Sequence, residues 1–381
     1  SFYLLTFSSY LVSFNLLKFS CYFVLLYVDD KWKRHTGMSY SLYEKILVML
    51  GEDPAMQPRR QTHNLVHLER RLLITLYICR TGISFKQCEV LVGQSNQAIG
   101  MWFWQIVEGL IRMKKVSGLY LPTDLEELKE LARAFEAYPA SRLPNAVVAF
   151  DGTHIAVAAP NSDLSYLGQK GNTINVQAAV DANFLVRDVF YERGHCPGAM
   201  NDKDLFHWSS AKVWMETVHK FNRKSIGGIP IGFFGILDGG YSLRPGMIIP
   251  FQKQRNHQGP LPNYQREFNY RLSSSRMVVE EVFGMIKGRS PILRNCTYLK
   301  FHPEKVLRMF VACCVIHNFC ILDGNVQPRI GMVHNGTLGS EDLQDVANQN
   351  GPPTPAQQQL TEAKQERMAI VYYLSQIDYN A

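Results

Sequence analysis

The sequence predicts an α/β domain, mixed strands flanked by helices, placed behind an all-helical segment. Three observations carry that prediction. From Ser39 to about Lys115 the apolar residues recur at helical spacing. From Ala146 the pattern changes to short unbroken apolar runs, which suit strands buried on both faces. Two more helices then follow, the amphipathic Ser275–Arg289 and the largely apolar Glu304–Leu322. A chain of 381 residues has room for two or three domains and a large core. Its 46% hydrophobic and 19% charged residues describe an ordinary globular protein. The net charge of +7 and pI near 8.9 suit a polyanionic partner only weakly. The distribution of that charge says more. Between 251 and 300 stand Lys253, Arg255, Arg266, Arg271, Arg276, Lys287, Arg289, Arg294 and Lys300, against Glu267, Glu280 and Glu281. Most of the excess positive charge therefore surrounds the helix 275–289, where a phosphate backbone would be drawn.

Taken in order, residues 1–28 are rich in Phe, Tyr, Leu and Ser and long enough to span a bilayer. Lys18 interrupts the run and no basic region precedes it, so residues 1–37 are expected to be a non-native or disordered extension, with a start near Met38. A helical domain, 38–120, comes next. Ser84-Phe85-Lys86-Gln87 has the form of a capping box, opening a short helix that stops at Gly93. Ser95 caps a longer helix ending at Lys114 and Lys115, with Arg70 and Arg71 ahead of the pair. Short helix, glycine turn and longer helix make a helix-turn-helix candidate, although any helical bundle contains such pairs. Trp102, Phe103 and Trp104 within it are expected to be core. Residues 121–144 read as a connector, with the acidic DLEELKELARAFEA a solvated helix and Pro139 and Pro144 marking a boundary.

The expected α/β domain runs from 145 to 323. Ala146–Phe150 is a buried strand ending at Asp151-Gly152, with a further strand over Thr153–Ala159. Ile174–Val180 and Phe184–Tyr191 flank Asp181-Ala182-Asn183 as a hairpin. Ile231–Leu237 is another buried strand, ending at Asp238-Gly239-Gly240. Cys313, His317 and Cys320 share a helical face, so a metal site there is imaginable. The run around them is apolar, and a buried helix of reduced thiols is the expected outcome. Residues 324–381 read as a tail, disordered from Asp323 to about Ala363, with a short amphipathic segment over Arg367–Ile377.

Two strands thus each deliver an Asp backed by glycine. A lone Asp after a strand is most simply a turn residue. On the helix 275–289, Arg276, Glu280 and Lys287 fall within a wedge of roughly 40°, and Glu281 points about 100° from Glu280. That stripe is most simply a surface salt bridge, Arg276 and Glu280 being an i, i+4 pair. Taken together, three converging carboxylates beside a basic surface suit another account. They can hold two divalent cations for phosphoryl transfer, and Mg²⁺ prefers such oxygen ligands. On this reading Glu281 is an ordinary surface acid.

Five blocks in order, DGTHIAVAAPNSDLSYLGQKG, NVQAAVDANFLVRDVFYERGHCPGAMND, ILDGGYSL, RMVVEEVFGMIKGR and ACCVIHNF, resemble the PIF/Harbinger transposase superfamily and its Harbinger-transposase-derived nucleases. The resemblance spans about Arg70 to Leu322. It implies a ribonuclease-H-like DDE catalytic domain behind a helix-turn-helix region, with Asp151, Asp238 and Glu280 as catalytic and metal-binding residues and two Mg²⁺ (or Mn²⁺) as cofactors. It further implies DNA as partner, both terminal inverted repeats and target, with contacts from Arg276, Lys287, Arg289, Lys114 and Lys115. Related bacterial transposases keep an Arg and a Lys at the spacing of Arg276 and Lys287 around the Glu. The implied activity is phosphodiester hydrolysis at transposon ends followed by 3′-hydroxyl strand transfer, in a nuclear protein, with cytoplasmic residence also open. A homo-oligomer, a Myb-like accessory protein and no membrane association complete the expectation. Departures from the family pattern are Gln169 in place of Arg, Asn201 in place of His, and Ser273 in place of Tyr. Asp181 and Asp202 are secondary acids, expected as turn residues or supports, and His154 as a packed strand residue. The alternative is a domesticated DNA-binding protein that no longer cuts.

Overall fold

The computed structural model describes residues 29–57, 66–138, 142–158, 166–168, 171–190, 201–221, 223–253, 259–324 and 355–379. The apolar segment 1–28, the polar stretch 325–354 and the altered Gln169 lie outside the described residues. Six helices and a strand lead to the site: α1 (Asp29–Thr36), α2 (Tyr40–Glu52), α3 (Leu68–Thr81), α4 (Phe85–Val92), α5 (Asn96–Arg112), α6 (Leu125–Ala137) and β1 (Ala146–Ala156). The capping box forms as expected. Ser84 Oγ accepts from the Gln87 amide at 3.2 Å, and the Gln87 side chain accepts from the Ser84 amide at 2.8 Å. Gly93 then ends α4 in the left-handed region, φ 69°, which glycine enters without steric cost. Ser95 caps α5. Trp102 and Phe103 are buried, as expected of core residues.

A six-stranded mixed sheet carries the second half. After β1 come β2 (Leu167–Gly168), β3 (Gly171–Val180), β4 (Val186–Val189), helices α7 (Asp202–Trp208) and α8 (Ser210–Val218), then β5 (Lys224–Ile226), β6 (Ile229–Ile231), β7 (Phe234–Ile236) and β8 (Met247–Ile248). The order is β2-β3-β1-β7-β8, with β4 also on β3. β3 runs antiparallel to β1 and β4, while β1, β7 and β8 are mutually parallel. This antiparallel hairpin beside parallel strands, with helices on both faces, fits a ribonuclease-H-like fold. Helices α9 (Asn263–Arg289), α10 (Cys296–Leu299), α11 (Pro303–Leu322) and α12 (Pro355–Tyr379) complete the described chain.

Strand pleating divides β1 between two cores. Val148 and Phe150 face Leu128, Leu131, Phe206 and Met215 from α6, α7 and α8. Ala149, Ile155 and Val157 join the larger cluster, which also takes in α9, α11 and the helices before α6. α11 is the core helix. It is the one described helix long and apolar enough to cross a membrane, and it is mostly buried inside the fold. Cys313, Cys314 and Cys320 are buried free thiols. His317 is engaged at both nitrogens, with Nε2 donating to the Phe184 carbonyl at 2.9 Å and Nδ1 facing Arg289 at 3.2 Å. Burial, aided by the Arg289 charge, lowers its pKa to about 4. The imagined metal face is a packed one.

Several local expectations change. The two strands on either side of Asp151-Gly152 are one, because β3 pairs without interruption from Ala149 to Ala156. The single strand expected over Ile231–Leu237 is instead two, β6 in a separate hairpin and β7 in the main sheet. The chain breaks at Gly232, where an added Cβ would lie 1.6 Å from the His219 carbonyl oxygen. The helix expected to be a solvated connector lays Leu128, Leu131 and Ala132 on the sheet. The helix carrying Glu280 is longer than expected, beginning at Asn263. The tail carries the largest change. Residues 355–363, expected to be disordered, begin a 25-residue helix that docks on β5, β6, β8 and α9.

Candidate active site

β1 and β7 pair only as far as Ala149 and Ile236. Beyond that point β1 continues against β3 alone, leaving one edge open from Asp151 onward. Parallel strands place ligands at their carboxyl ends, and this is where the predicted acids gather. Asp151 lies on the β1 face turned to α9. Asp238 follows β7 by two residues, and its Oδ1 accepts from the Gly240 amide at 2.8 Å. That bond is the turn geometry a strand-end Asp commonly makes. Glu280 stands on α9, whose Val278, Val279, Val282, Phe283 and Ile286 are buried against the sheet. Its own side chain is 49% exposed, so it opens to solvent at the mouth of the site.

Arg276 joins these elements. Its Nη1 donates to Asp151 Oδ2, and its Nη2 lies 2.6 Å from Glu280 Oε1. The i, i+4 pair expected on the helix is present, and the same guanidinium also reaches across to the sheet. About two turns beyond Glu280, Lys287 Nζ donates to Thr153 Oγ1 at 2.6 Å and to the His154 carbonyl at 3.1 Å. The stripe Arg276–Glu280–Lys287 therefore lies along a single face of β1. Burial pushes the Asp151 carboxyl up to about 6. Arg276 and the Gly152 amide pull it down, while the charges of Asp238 and Glu280 push it up again. Asp238 and Glu280 are thus both within electrostatic reach of Asp151.

The opposite face of β1 carries a polar network. A Cβ on Gly152 would sit 2.3 Å from Asp202 Oδ1, so the missing side chain makes room for that carboxylate. Asn175 Nδ2 donates to Asp202 Oδ1 at 2.8 Å, and Gln177 Nε2 donates to the Tyr241 hydroxyl. Burial first, then Asp202, Asp151 and Asp238, raise the Tyr241 pKa and keep its phenol neutral. Asp202 supports the strand from behind rather than joining the three acids. Asp181 is a turn residue, fully buried, accepting from the Asn183 and Leu185 amides. His154 packs as expected, its Nδ1 3.0 Å from Thr173 Oγ1. Asn201 takes the N-cap of α7, accepting from the Asp204 amide at 2.9 Å.

Not every predicted residue sits at the site. Arg289 is turned inward to His317, and Lys114 and Lys115 are exposed at the end of α5. Arg71 is buried, bonding Gln105 at 2.7 Å, and Arg70 donates to the Val92 carbonyl at 3.1 Å. Glu281 is not the surface acid expected: the residue is half-buried and its Oε2 fully so. Asn175, Gln177, Thr153 and Tyr241 join the site without a sequence expectation. The signal for the strand residues is polar side chains at alternate positions of an apolar run, Thr173, Asn175 and Gln177.

Three carboxylates with no sulfur or nitrogen donor fit a hard divalent cation. The raised Asp151 pKa is compatible with this, since a cation would offset the cost of burying the charge, which is its main cause, and the smaller repulsion from Asp238 and Glu280. With Arg276 between Asp151 and Glu280, the acids stand wider apart than ligands of one ion. Among the described residues, the group at ligand spacing lies elsewhere, at His219, Glu362 and Glu366.

Residues 150–318 match the profile of the DDE superfamily endonucleases, a stretch holding all three acids. The chain is also similar to HARBI1, named as a candidate nuclease, of Mus musculus and Homo sapiens. The mouse protein is 23% identical over 304 residues, covering 78% of this chain and 80% of the relative. The human protein is 23% identical over 305 residues, with the same coverage. These matches support a place for the chain in the Harbinger-derived DDE family. HARBI1 of Xenopus laevis is 22% identical over 299 residues. No solved structure matches the chain.

Proposed function

We propose that this protein is a metal-dependent DNA endonuclease of transposase origin, hydrolysing a phosphodiester at element ends and passing the freed 3′ hydroxyl to target DNA. The observation that carries this reading is the meeting of Asp151, Asp238 and Glu280 at the open edge of β1, with Arg276 bridging two of them. Divalent ions, two Mg²⁺ or Mn²⁺, supply activation of the attacking water and neutralise the leaving oxygen when bound. Asp151, Asp238 and Glu280 hold them. Arg276 sits where a phosphate oxygen can replace a carboxylate as its partner, since a guanidinium fork binds either. Lys287 fixes the β1 segment that carries Asp151. We extend the DNA path to Lys114 and Lys115 on the helix-turn-helix candidate α4–α5, with Arg289 supporting the helix end. Terminal inverted repeats, a homo-oligomer, a Myb-like accessory protein and nuclear residence without membrane association belong to the same proposal. The DDE superfamily match and the nuclease name of the HARBI1 relatives support it.

The test is Mg²⁺- or Mn²⁺-dependent cleavage of terminal-repeat DNA by Glu280→Gln beside Glu281→Gln. Cleavage is expected to fall by on the order of 10³ in the first and to persist in the second, provided that variant keeps its fold by circular dichroism. Loss confined to Glu281→Gln sinks the assignment. One observation favours a second reading, a DNA-binding protein that no longer cuts: Arg276 occupies Asp151 and Glu280, and the acids stand wider apart than ligand spacing. Protection of terminal-repeat DNA with no cleavage in either metal would favour it.

Lys287→Met separates support from contact. Losing the bonds to Thr153 and His154 is expected to lower turnover about tenfold with little change in the salt dependence of DNA affinity. A weaker salt dependence instead would make Lys287 a phosphate contact.

A further inference from the structure

Away from the three acids, α12 closes over the end of α8. His219 follows α8 as its C-cap, and Glu362 and Glu366 stand one turn apart on α12. One ligand atom from each lies within 4.8 Å of the other two. His219 and Glu366 are 4% and 1% exposed. The imidazole is held in a built recess. Gly246, at φ +73°, approaches so closely that a Cβ there would sit 2.8 Å from the His219 Cβ.

His219 Nδ1 lies 3.3 Å from the Phe233 carbonyl oxygen. A carbonyl only accepts, so Nδ1 donates to it, and Nε2 is left facing Glu366. Nε2 and Glu366 Oε1 are 3.1 Å apart. Yet neither atom has a hydrogen-bond partner, because the ring direction and the carboxylate are out of line. Two buried polar atoms that face each other without a hydrogen bond mark a place where a cation can bind. A hydrogen bond from Nε2 would need the alignment that is missing. A metal ion does not. Two ligand atoms each about 2.1 Å from one ion lie about 3.0 Å apart at a right angle and about 3.4 Å apart at the tetrahedral angle, a range that contains the observed separation.

We propose that His219, Glu362 and Glu366 form a zinc-class site that staples the C-terminal helix to the DDE domain. One imidazole and two carboxylates suit Zn²⁺ over Mg²⁺ or Ca²⁺, which take oxygen alone. The Phe233 carbonyl supplies the support that ligating histidines commonly have at the second nitrogen. The Gly246 amide, 3.4 Å from Glu366 Oε2, and Arg223, 3.1 Å from Glu362 Oε1, orient the carboxylates. The site joins segments distant in sequence and so couples metal binding to docking of α12.

The experiment uses the full chain, stripped with chelator and titrated with ZnCl₂, then with CoCl₂ to read coordination from the visible spectrum. The Glu280→Gln background removes a ligand of the proposed catalytic centre, so the two sites are distinguishable. One equivalent of zinc is expected to bind and to raise the melting temperature, with affinity at least tenfold weaker in His219→Gln and in Glu362→Gln. Glu362 is only half-buried, so that variant keeps the test valid if the His219 change prevents folding. Zinc binding of equal affinity and stoichiometry in the Glu362→Gln variant overturns the site, as does the absence of any bound equivalent in the parent.

Discussion

Asp151→Asn should abolish cleavage while making the metal-free protein more stable. The loss follows from removing a ligand and is expected to reach on the order of 10³. The gain follows from the raised pKa. Burial, with Asp238 and Glu280 adding to it, lifts Asp151 to about 6 even though Arg276 opposes the rise. A folded-state pKa above the ordinary Asp value means that the folded protein holds this proton more tightly than the unfolded chain does. Stability from this group is therefore fully present below about pH 4 and is lost as pH rises to about 6. At neutral pH the ionised carboxylate costs roughly 3 kcal/mol, which an amide of the same shape does not incur. Asp151→Asn is expected to melt on the order of 5 °C higher than the parent in metal-free buffer at pH 7.5. The difference should vanish near pH 4, where the parent is protonated. Added Mg²⁺ should raise the parent and leave the variant unmoved. Equal melting temperatures at pH 7.5 would remove the argument that three crowded acids await a cation, and no measurement of activity enters that comparison.

How much of this is readable from residues alone differs by element. The spacing of Arg276, Glu280 and Lys287 predicts a shared direction, and the structure sends Arg276 to Asp151 and Lys287 to Thr153, two residues apart on one strand face. Periodicity suffices there because a helix fixes side-chain direction locally. The hairpin around Asp181 is legible for the same reason, since its turn residues bond their own backbone. What local pattern misreads is decided by distant partners. Asp151-Gly152 resembles a turn, yet pairing with Ala178 and Gln177 holds it in mid-strand. Gly152 is demanded by Asp202, fifty positions on, which no window around the Asp-Gly pair contains. IGFFGIL reads as one strand, and the carbonyl of His219 divides it. Glu281 looks solvated on a helical wheel drawn alone; other parts of the fold cover it. The segment 355–363 lacks the apolar stripe of a free-standing helix, and its docking on β5, β6 and β8 supplies what composition does not show.

Arg187→Met should be the most destabilising single change outside the apolar core. Asp181 is fully buried, and Arg187 Nε lies 2.7 Å from its Oδ2. The same guanidinium reaches Glu127 Oε1 on α6 at 3.3 Å and the Gly118 carbonyl after α5 at 3.5 Å, and lies 6.0 Å over the Tyr120 ring. It therefore ties the β3–β4 turn to the helices on either side of the link between α5 and α6. Methionine fills similar volume and leaves the Asp181 charge buried without its counter-ion, a loss of about 3–5 kcal/mol. The direction of the Asp181 pKa sharpens the test. Burial already raises it, and Arg187 is the main group opposing the rise. Stability from a raised carboxyl is present at low pH and falls as pH rises through the folded pKa. Without Arg187 that pKa moves higher still, so the penalty of Arg187→Met should grow from acid toward neutral pH. Denaturant unfolding at several pH values reads this directly. Asp181→Asn combined with Arg187→Met should recover most of the loss at neutral pH, because the uncompensated charge is gone. A penalty independent of pH, or a double variant no better than the single one, would place the effect in packing rather than in the buried ion pair.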